Sequence, residues 1–523
     1  MTDATFSLII KSDYLLIRQR SGLPAQRLIL QHRLSGHAVD LVSVNRKEWK
    51  LIPTDIDWQP TYWDVYAYFD DPLVMVRARL TRLWYLRGIL QRLVILERDA
   101  RSVYAYSAKN GGLSFSYRQN HGFSNQHNRL QYVALLAAFI MNILWPFKRP
   151  WLIFEKRSMR AQDAGFEFFK YLRSNQQTQS AYFLLDATSP DFARVQEYAD
   201  HLVTFGSFKH LYLLHRAKLY VSSETNGHAY FWRHNTGIVS HLVRIHPSIF
   251  LQHGVLGFKK LDNFFQVDSL SAPLLFITSS EFEQSIVETH LSYPRNRIPI
   301  TGLARWDSVQ VSPMNQRNVV LFFYTWRPWL DDVSLEVLKV SDYYKHIVAQ
   351  VTSSSLQTWV KRSDKKIVIV LHPKVAELFP DKHIDNVTIL GDVDIQLREL
   401  MERVAVLITD YSSLAWEAYY RDIPVIFDRF DIERYQKAVG MYLTSEKMPF
   451  GEVLTTDLSY QLSCLVEREW MLLPKDVKNK TTFFQFQDSH NSERVYEAIK
   501  NLSPGIWWRW RLQLIKKIGK YLK

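Results

Sequence analysis

Apolar residues run along this chain in three rhythms. Up to about Tyr117 they come in short runs rich in Val, Ile, Leu and Tyr, with turn residues between them: Phe6–Ile10, Tyr14–Arg18, Arg27–His32, Ala38–Val44, Arg92–Glu97, Val103–Ala108 and Leu113–Tyr117. That rhythm predicts strands of a small β-sandwich, with Asn110-Gly111-Gly112 turning a hairpin. From Trp151 the pattern changes to short buried strands alternating with helical stretches, the sign of parallel sheets. The expected strands are Trp151–Phe154, Tyr182–Leu185, Leu219–Ser222, Ile249–Gln252, Leu274–Thr278 and Ile298–Thr301, with a helix over Met159–Arg173. After the loop-like Val311–Gln316 a second set follows: Val319–Tyr324, Ile367–Leu371, Val387–Leu390 and Val404–Thr409.

The most regular unit is Val404–Tyr435. A β-branched run buried on both faces ends in Asp410-Tyr411-Ser412-Ser413; a helix to about Arg421 and a strand at Pro424–Asp428 follow. Strand, turn, helix, strand is a βαβ unit, and such units hold ligands at the carboxyl end of the first strand. Ser412 and Ser413 suit an anion at a helix N-terminus, and they suit an ordinary helix cap equally well. Two Rossmann-like halves in tandem describe a GT-B architecture, whose substrates meet between the halves.

Two further stretches carry a different periodicity. Tyr132–Phe147 is the most apolar segment, short of the roughly 20 residues a spanning helix needs, and it meets Lys148-Arg149. It reads as a buried helix, or as an interfacial one with Trp145 and the cations at headgroup level. The tail Ile506–Lys523 places Trp507, Trp510, Leu514, Ile518 and Tyr521 on one helical face, opposite Arg509, Lys516, Lys517, Lys520 and Lys523. Contact with an anionic membrane through Trp507, Trp508, Trp510, Lys516, Lys517 and Lys520 is the expectation; docking back onto the protein is the alternative.

Composition narrows the partners. The chain has 523 residues, enough for about three domains, and 16 Trp, 27 Tyr and 30 Phe to build their cores. One cysteine, Cys464, excludes a disulfide framework and a cysteine zinc site, and no secretory signal precedes the first strands, which suits a cytoplasmic setting. The formal charge of +13 suits an anionic surface or a phosphate-rich substrate. No zinc-finger, RRM or KH signature is present, so nucleic acid is not expected.

Four more segments fall at strand ends: Leu251-Gln252-His253-Gly254 with Lys259 and Lys260 beyond it, Thr301–Asp307, Tyr324-Thr325-Trp326-Arg327, and Leu371-His372-Pro373-Lys374. A cleft with two imidazoles, a guanidinium and a helix N-terminus suits phosphoryl transfer by positioning and charge neutralisation. It lacks the paired carboxylates that glycoside hydrolysis needs. No carboxylate cluster demands a metal, and Mg²⁺ accompanying a pyrophosphate remains compatible with the sequence.

Taken in order, His253-Gly254 with Lys259-Lys260, Thr301-Gly302 with Asp307, Tyr324-Thr325-Trp326-Arg327, His372-Pro373, and Ile408–Ser413 followed by Pro424–Phe427 resemble the CDP-glycerol glycerophosphotransferase family, the teichoic-acid primases and polymerases. The likeness covers roughly Trp151 to Leu465. It implies a GT-B enzyme at the cytoplasmic membrane face, moving glycerol phosphate from CDP-glycerol to a lipid-linked polyol-phosphate or glycan acceptor in teichoic-acid-like or capsular polymer synthesis. It implies that His253 is the general base and that His372, Arg327 and Thr325 bind the pyrophosphate and stabilise departing CMP. Ser412 and Ser413 would hold phosphate, with Asp410 orienting the turn or accepting a hydroxyl. Gly254, Lys259, Lys260, Arg305 and Asp307 fall on the acceptor side. Departures at Val255–Phe258 and Ala304–Asp307 concern the acceptor more than the donor, and a third stands at Pro328. A ribitol-phosphate transferase using CDP-ribitol and a nucleotide-sugar glycosyltransferase are the alternatives. The expected division is 1–122 accessory β domain, 123–150 apolar interfacial segment, 151–314 acceptor-side half, 315–490 donor-side half and 491–523 C-terminal helix.

Overall fold

The computed structural model describes residues 4–33, 35–69, 75–90, 93–98, 100–108, 111–120, 122–175, 180–232, 237–261, 265–331, 333–372, 375, 378, 387–391, 397–443 and 448–522. Its N-terminal part is a sandwich of two mainly antiparallel sheets, five and seven strands among the described residues. Phe6, Leu8, Leu15, Ile17, Trp49, Trp63, Val65 and Phe115 fill the space between them. Ala38–Val44 is split into Ala38–Asp40 and Val42–Asn45. The sequence pattern did not separate the strands Glu48–Leu51 and Thr61–Tyr68, where tryptophan and charge interrupt the alternation. Asn110 of the expected hairpin turn lies outside the described residues.

Two six-stranded parallel sheets follow. The first takes Trp151–Phe154, Ala181–Leu185, Leu202–Thr204, Leu219–Ser222, Ser248–Phe250 and Leu275–Phe276 in the spatial order 3-2-1-4-5-6. The second takes Val319–Phe323, Lys366–Leu371, Val387–Gly391, Val404–Thr409, Val425–Phe427 and Glu452–Val453 in the same order. This is the doubly wound order, in which the switch point between strands 1 and 4 opens a crevice at their carboxyl ends. The expected strand at Ile298–Thr301 is not one: the segment makes only an isolated bridge, Thr278 to Ile300. The helix expected from Met159 begins at Ala164, because Lys156–Ser158 form a tight turn with Arg157 and Ser158 at positive φ.

The two halves share a core. Trp151, Phe183 and Leu219 of the first join Val404, Trp416, Tyr419 and Phe427 of the second in one apolar cluster. A buried polar knot lies beside it. Glu417, on the Leu414–Tyr420 helix, pairs with Arg305 of the first half at 2.8 Å and with Arg421 at 3.0 Å, and accepts Trp306 Nε1 at 2.9 Å. The indole of Trp306 stacks on Tyr420 at 4.1 Å. A second cross-link joins Arg398 to Glu167 at 2.7 Å. The chain then returns to the first half: Tyr496 of the Asn491–Lys500 helix packs against Trp151 and Tyr171.

Burial opposes the charge of Glu417, but Arg305 and Arg421 outweigh it and hold the carboxyl below its usual range. Its contribution is therefore present above that range and lost as pH falls through it. Glu417→Ala leaves the buried Arg421 guanidinium without its carboxylate and Arg305 with Asp163 alone, and about 3 kcal/mol of stability should go with it in urea unfolding at neutral pH. The gap to wild type should narrow as pH drops below the ordinary carboxylate range; a gap that stays constant would show that the pair carries no net charge stabilisation.

Candidate functional site

The carboxyl ends of the two sheets face one another across a cavity of about 420 Å³. Lys156, His253, Gly254 and Lys259 line it from the first half, and Thr325, Trp326, His372, Ser412 and Ser413 from the second. His253, His372, Thr325 and the serines, far apart in sequence, are thus brought together at one crevice.

On the first wall, Gln252 has φ of 61°, a left-handed value that a side chain tolerates only when its surroundings hold it. Its buried amide donates to Ile277 O at 2.8 Å and to Glu283 Oε1 at 2.9 Å. Glu283, fully buried, also accepts Leu256 N–H and Ser279 N–H, each at 2.7 Å. Burial raises its carboxyl above the usual range, opposed by those donors. Glu283 therefore pegs both sides of the loop that bears His253. The sequence analysis missed it, since a carboxylate on a helix 30 residues downstream carries no local signal.

His253 itself is exposed, with Nδ1 3.3 Å from Ser223 O. A carbonyl only accepts, so Nδ1 carries the proton, and in the neutral ring Nε2 then keeps its lone pair. Behind it, Arg305 donates to the His253 carbonyl at 2.8 Å. Gly254 is set by the opposite wall: a Cβ there would stand 2.9 Å from Ser413 Cβ and Oγ.

The second wall is organised from below. Arg327 is fully buried. Its guanidinium makes a bidentate pair with Asp431 at 2.7 and 2.9 Å and bonds Asp410 Oδ2 and Thr325 O, each at 2.6 Å. The rings of Tyr343, Tyr411 and Tyr435 pack around it at 4.9, 5.2 and 5.4 Å. Burial works against this charge, yet the two carboxylates raise its pKa overall. Asp410, equally buried, accepts Thr325 N–H at 2.9 Å and Tyr411 N–H at 2.6 Å. The expectation that Arg327 binds pyrophosphate is corrected: its donors are spent on Asp410, Asp431 and Thr325 beneath the cleft floor. Asp410 has no surface for a substrate hydroxyl, and it orients the turn.

Above this clamp, Ser412 Oγ accepts Leu414 N–H at 3.1 Å, so this serine caps the helix start. Ser413 makes no side-chain cap bond and faces Gly254. The helix runs Leu414–Tyr420, and its brevity limits any dipole at this end. His372 is half-buried and stacks on Trp326 at 4.1 Å; Pro373 and Lys374 lie outside the described residues.

Two acceptor-side expectations are corrected by their contacts. Arg305 is taken up by Glu417, Asp163 and the His253 carbonyl. Asp307 accepts the N–H groups of Asn491 and Ser492, each at 2.7 Å, and so caps the Asn491–Lys500 helix. Lys259 and Lys260 are exposed, with Lys259 on the cavity; Lys156, unforeseen, joins it from the end of the first strand. Among the described residues no three His, Cys, Asp or Glu side chains gather as a metal site.

The tail is the helix Pro504–Leu522, and its tryptophan face docks inward. Trp510 is buried and donates to Ala272 O at 3.1 Å, Trp507 is half-buried, and Lys517 donates to Val267 O and Ser269 O. Burial lowers the Lys517 ammonium to about 8. Trp510 and Lys517 are therefore removed from the expected membrane contact. Trp508 and Lys516 are exposed, and the Lys520 side chain lies outside the described residues.

A family model described as CDP-glycerol:poly(glycerophosphate) glycerophosphotransferase matches residues 137–501. The chain is 25% identical over 387 residues to the minor teichoic acid biosynthesis protein GgaB of Bacillus subtilis (strain 168), covering 71% of this chain and 42% of that protein. It thus spans less than half the length of this curated relative. Among solved structures it is similar to the wall teichoic acid polymerase TagF, 15% identical with a TM-score of 0.52, covering 73% of this chain and 99% of that one. A TagF variant soaked with CDPG matches at 16% identity and a TM-score of 0.51, covering 71% and 98%. Identities this low speak for a shared α/β fold.

Glu283→Ala should release the His253 loop without touching the second wall. Turnover is expected to fall about 10²-fold, the scale of a misplaced reacting group, while donor affinity holds. Hydrogen exchange at Leu256 and Ser279 should quicken in parallel. Unchanged exchange at those amides would show that the carboxylate does not hold the loop.

Proposed function

The chain belongs to the CDP-glycerol:poly(glycerophosphate) glycerophosphotransferase family, and on that premise we propose that it transfers glycerol phosphate from CDP-glycerol to a hydroxyl of a membrane-linked acceptor, releasing CMP. The polymer would be teichoic-acid-like or capsular. The observation that carries this reading is the exposed His253 imidazole, its Nδ1 fixed by Ser223 O, facing Thr325, His372 and Ser413 across the cavity.

In this mechanism Nε2 of His253 takes the acceptor hydroxyl proton as the oxygen attacks the glycerol-bearing phosphorus. The phosphoanhydride bond breaks and its electron pair leaves on CMP. His372, the Thr325 hydroxyl and the Ser412–Ser413 turn bear on the diphosphate, and Lys156 and Lys259 add positive charge at the cavity wall. Arg327 and Asp410 act through the turns they hold. Any Mg²⁺ would accompany the diphosphate and neutralise part of its charge. On this reading residues 151–314 and 315–490 are the acceptor and donor halves of a GT-B enzyme, 1–122 the accessory domain, 123–150 the interfacial segment and 491–523 the C-terminal segment.

No helix among the described residues is long and apolar enough to cross a membrane. Peripheral contact with an anionic membrane at the cytoplasmic face is part of the proposal, supported by the Asn125–Leu144 helix. Leu136, Phe139, Ile140, Ile143 and Leu144 lie exposed along it, followed by Trp145 and Phe147. On the tail helix Trp508, Leu512 and Ile515 are exposed as well.

A donor panel tests the chemistry. CMP should be released from CDP-glycerol or CDP-ribitol, with the faster donor naming the polyol; turnover of a UDP-sugar alone would refute the proposal. His253→Ala should lower transfer by about 10²–10⁴-fold, the usual range for a lost general base, with donor binding retained; collapse of donor affinity would remove the base assignment. Leu136→Glu with Ile143→Glu should shift the protein off anionic liposomes in sedimentation. Undiminished binding would move the membrane contact elsewhere.

A further inference from the structure

The family match begins at residue 137, so the N-terminal sandwich stands outside it. The seven-stranded sheet turns Trp63, Val65, Val103 and Phe115 inward to the core. Strand register then places their neighbours outward: Tyr62 opposite Ser116, Asp64 opposite Ser114, and Ser116 opposite Tyr104. An outer sheet face in water normally carries mixed polar residues. This one carries arginine layered on tyrosine.

The guanidiniums of Arg33 and Arg118 both lie over the Tyr62 ring, at 4.8 and 4.4 Å from its centroid. Tyr106 packs edge-on to that ring at 6.0 Å. Asp64, buried at the base, holds Arg33 at 2.8 and 3.0 Å and also pairs with Arg77. Two guanidiniums thus share one carboxylate, and Arg118, the third on this face, has no carboxylate partner among the described residues. Beneath them Ser116 is fully buried, and its Oγ has no hydrogen-bond partner among the described residues. Arg33 spends its Nε and Nη2 edge on Asp64, whereas Arg118, held flat on the Tyr62 ring without a carboxylate, keeps donors for a phosphate, and the rings offer apolar faces to C–H groups. Excess positive charge and rigid rings match a chain that alternates phosphates with polyol carbons. They do not match a neutral glycan, which needs no cations.

We propose that this outer face is a binding surface for an anionic polyol-phosphate polymer, which it holds while the cleft works on the chain end. The proposal rests on the transferase reading for its choice of polymer. A phosphate would pair with Arg118, with the charge of Arg33 beside it, and polyol segments would lie on Tyr62 and Tyr106. Because the contacts are repeated rather than unique to one terminus, retention should raise the number of transfers per encounter.

The full chain, without donor, is tested against immobilised poly(glycerol phosphate), with dextran and heparin as controls. Binding to the polyol phosphate alone, weakening with salt, is expected. Arg118→Glu should weaken it at least about tenfold, the effect of losing one phosphate contact and adding a repulsive charge. Its melting temperature and its CMP release with a short soluble acceptor should stay at wild-type values, while product length shortens. Tyr62→Phe, which keeps the ring, should bind as wild type and guards against a folding artefact. Equal binding by Arg118→Glu, or heparin bound as tightly as the polyol phosphate, would overturn the proposal. Polymer binding without any CDP-polyol turnover would instead refute the transferase reading and leave the surface standing; turnover without polymer binding would do the reverse.

Discussion

The second half of this protein depends on one buried charge, the Arg327 guanidinium between Asp410 and Asp431. Each strand of a parallel sheet ends in unpaired backbone donors, and a cleft at those ends would leave them to water. Asp410 takes the N–H groups at the tips of two adjacent strands, those of Thr325 and Tyr411. Arg327 in turn fixes Asp410 and bonds the Thr325 carbonyl. The floor of the cleft is thereby held rigid before any ligand arrives. Its charged groups are spent on the floor, and the surface is left to Thr325, His372 and two serines. Preorganisation of this kind favours phosphoryl chemistry, where the protein contributes position and charge more than covalent steps.

The first half solves the same problem with an acid and an amide. Glu283 collects Leu256, Ser279 and Gln252, and the strain of Gln252 at positive φ is held by that network. The two walls are then set against each other by contacts with no slack. Gly254 lies against Ser413, and Glu417 ties Arg305, Trp306 and Arg421 into one buried knot. The apolar core runs through both halves. A wide hinge opening would have to break all of this, so the structure favours adjustment by the loops that rim the cavity over rigid-body separation.

Much of the architecture was legible in the sequence, because buried parallel strands are continuous apolar runs. Trp151–Phe154, Leu219–Ser222 and Val404–Thr409 occupy the spans the pattern predicts, and two strands too short to carry a pattern, Leu202–Thr204 and Glu452–Val453, escaped it. The positions at the cleft were legible for the same reason: a polar cluster just after a buried strand has only one place to go. Their individual jobs were not. Arg327, Arg305 and Asp307 look like ligand contacts in one dimension, yet each finds its partner about 85 to 185 residues away. Only the fold decides whether a charge beside a cleft faces the substrate or the scaffold. The tail shows the same limit, since a tryptophan face suits a bilayer and a protein groove equally, and Ala272 claims Trp510.

What the family fold does not absorb lies at its margins, and the margins share a logic. If the proposed reading holds, a transferase that extends a polymer on a membrane must keep hold of two partners that the reaction cavity, at about 420 Å³, is too small to contain. A bilayer is held by area and apolarity, and the exposed side of the Asn125–Leu144 helix has both. A polyanion is held by spaced positive charge that does not depend on sequence, and the arginine-layered sheet has that. The Asn125–Leu144 helix joins the sandwich to the first parallel sheet, so the apolar surface lies between the arginine-layered sheet and the cleft along the chain. On the proposed reading, elongation would need no movement of the catalytic walls, because the polymer would slide between fixed points.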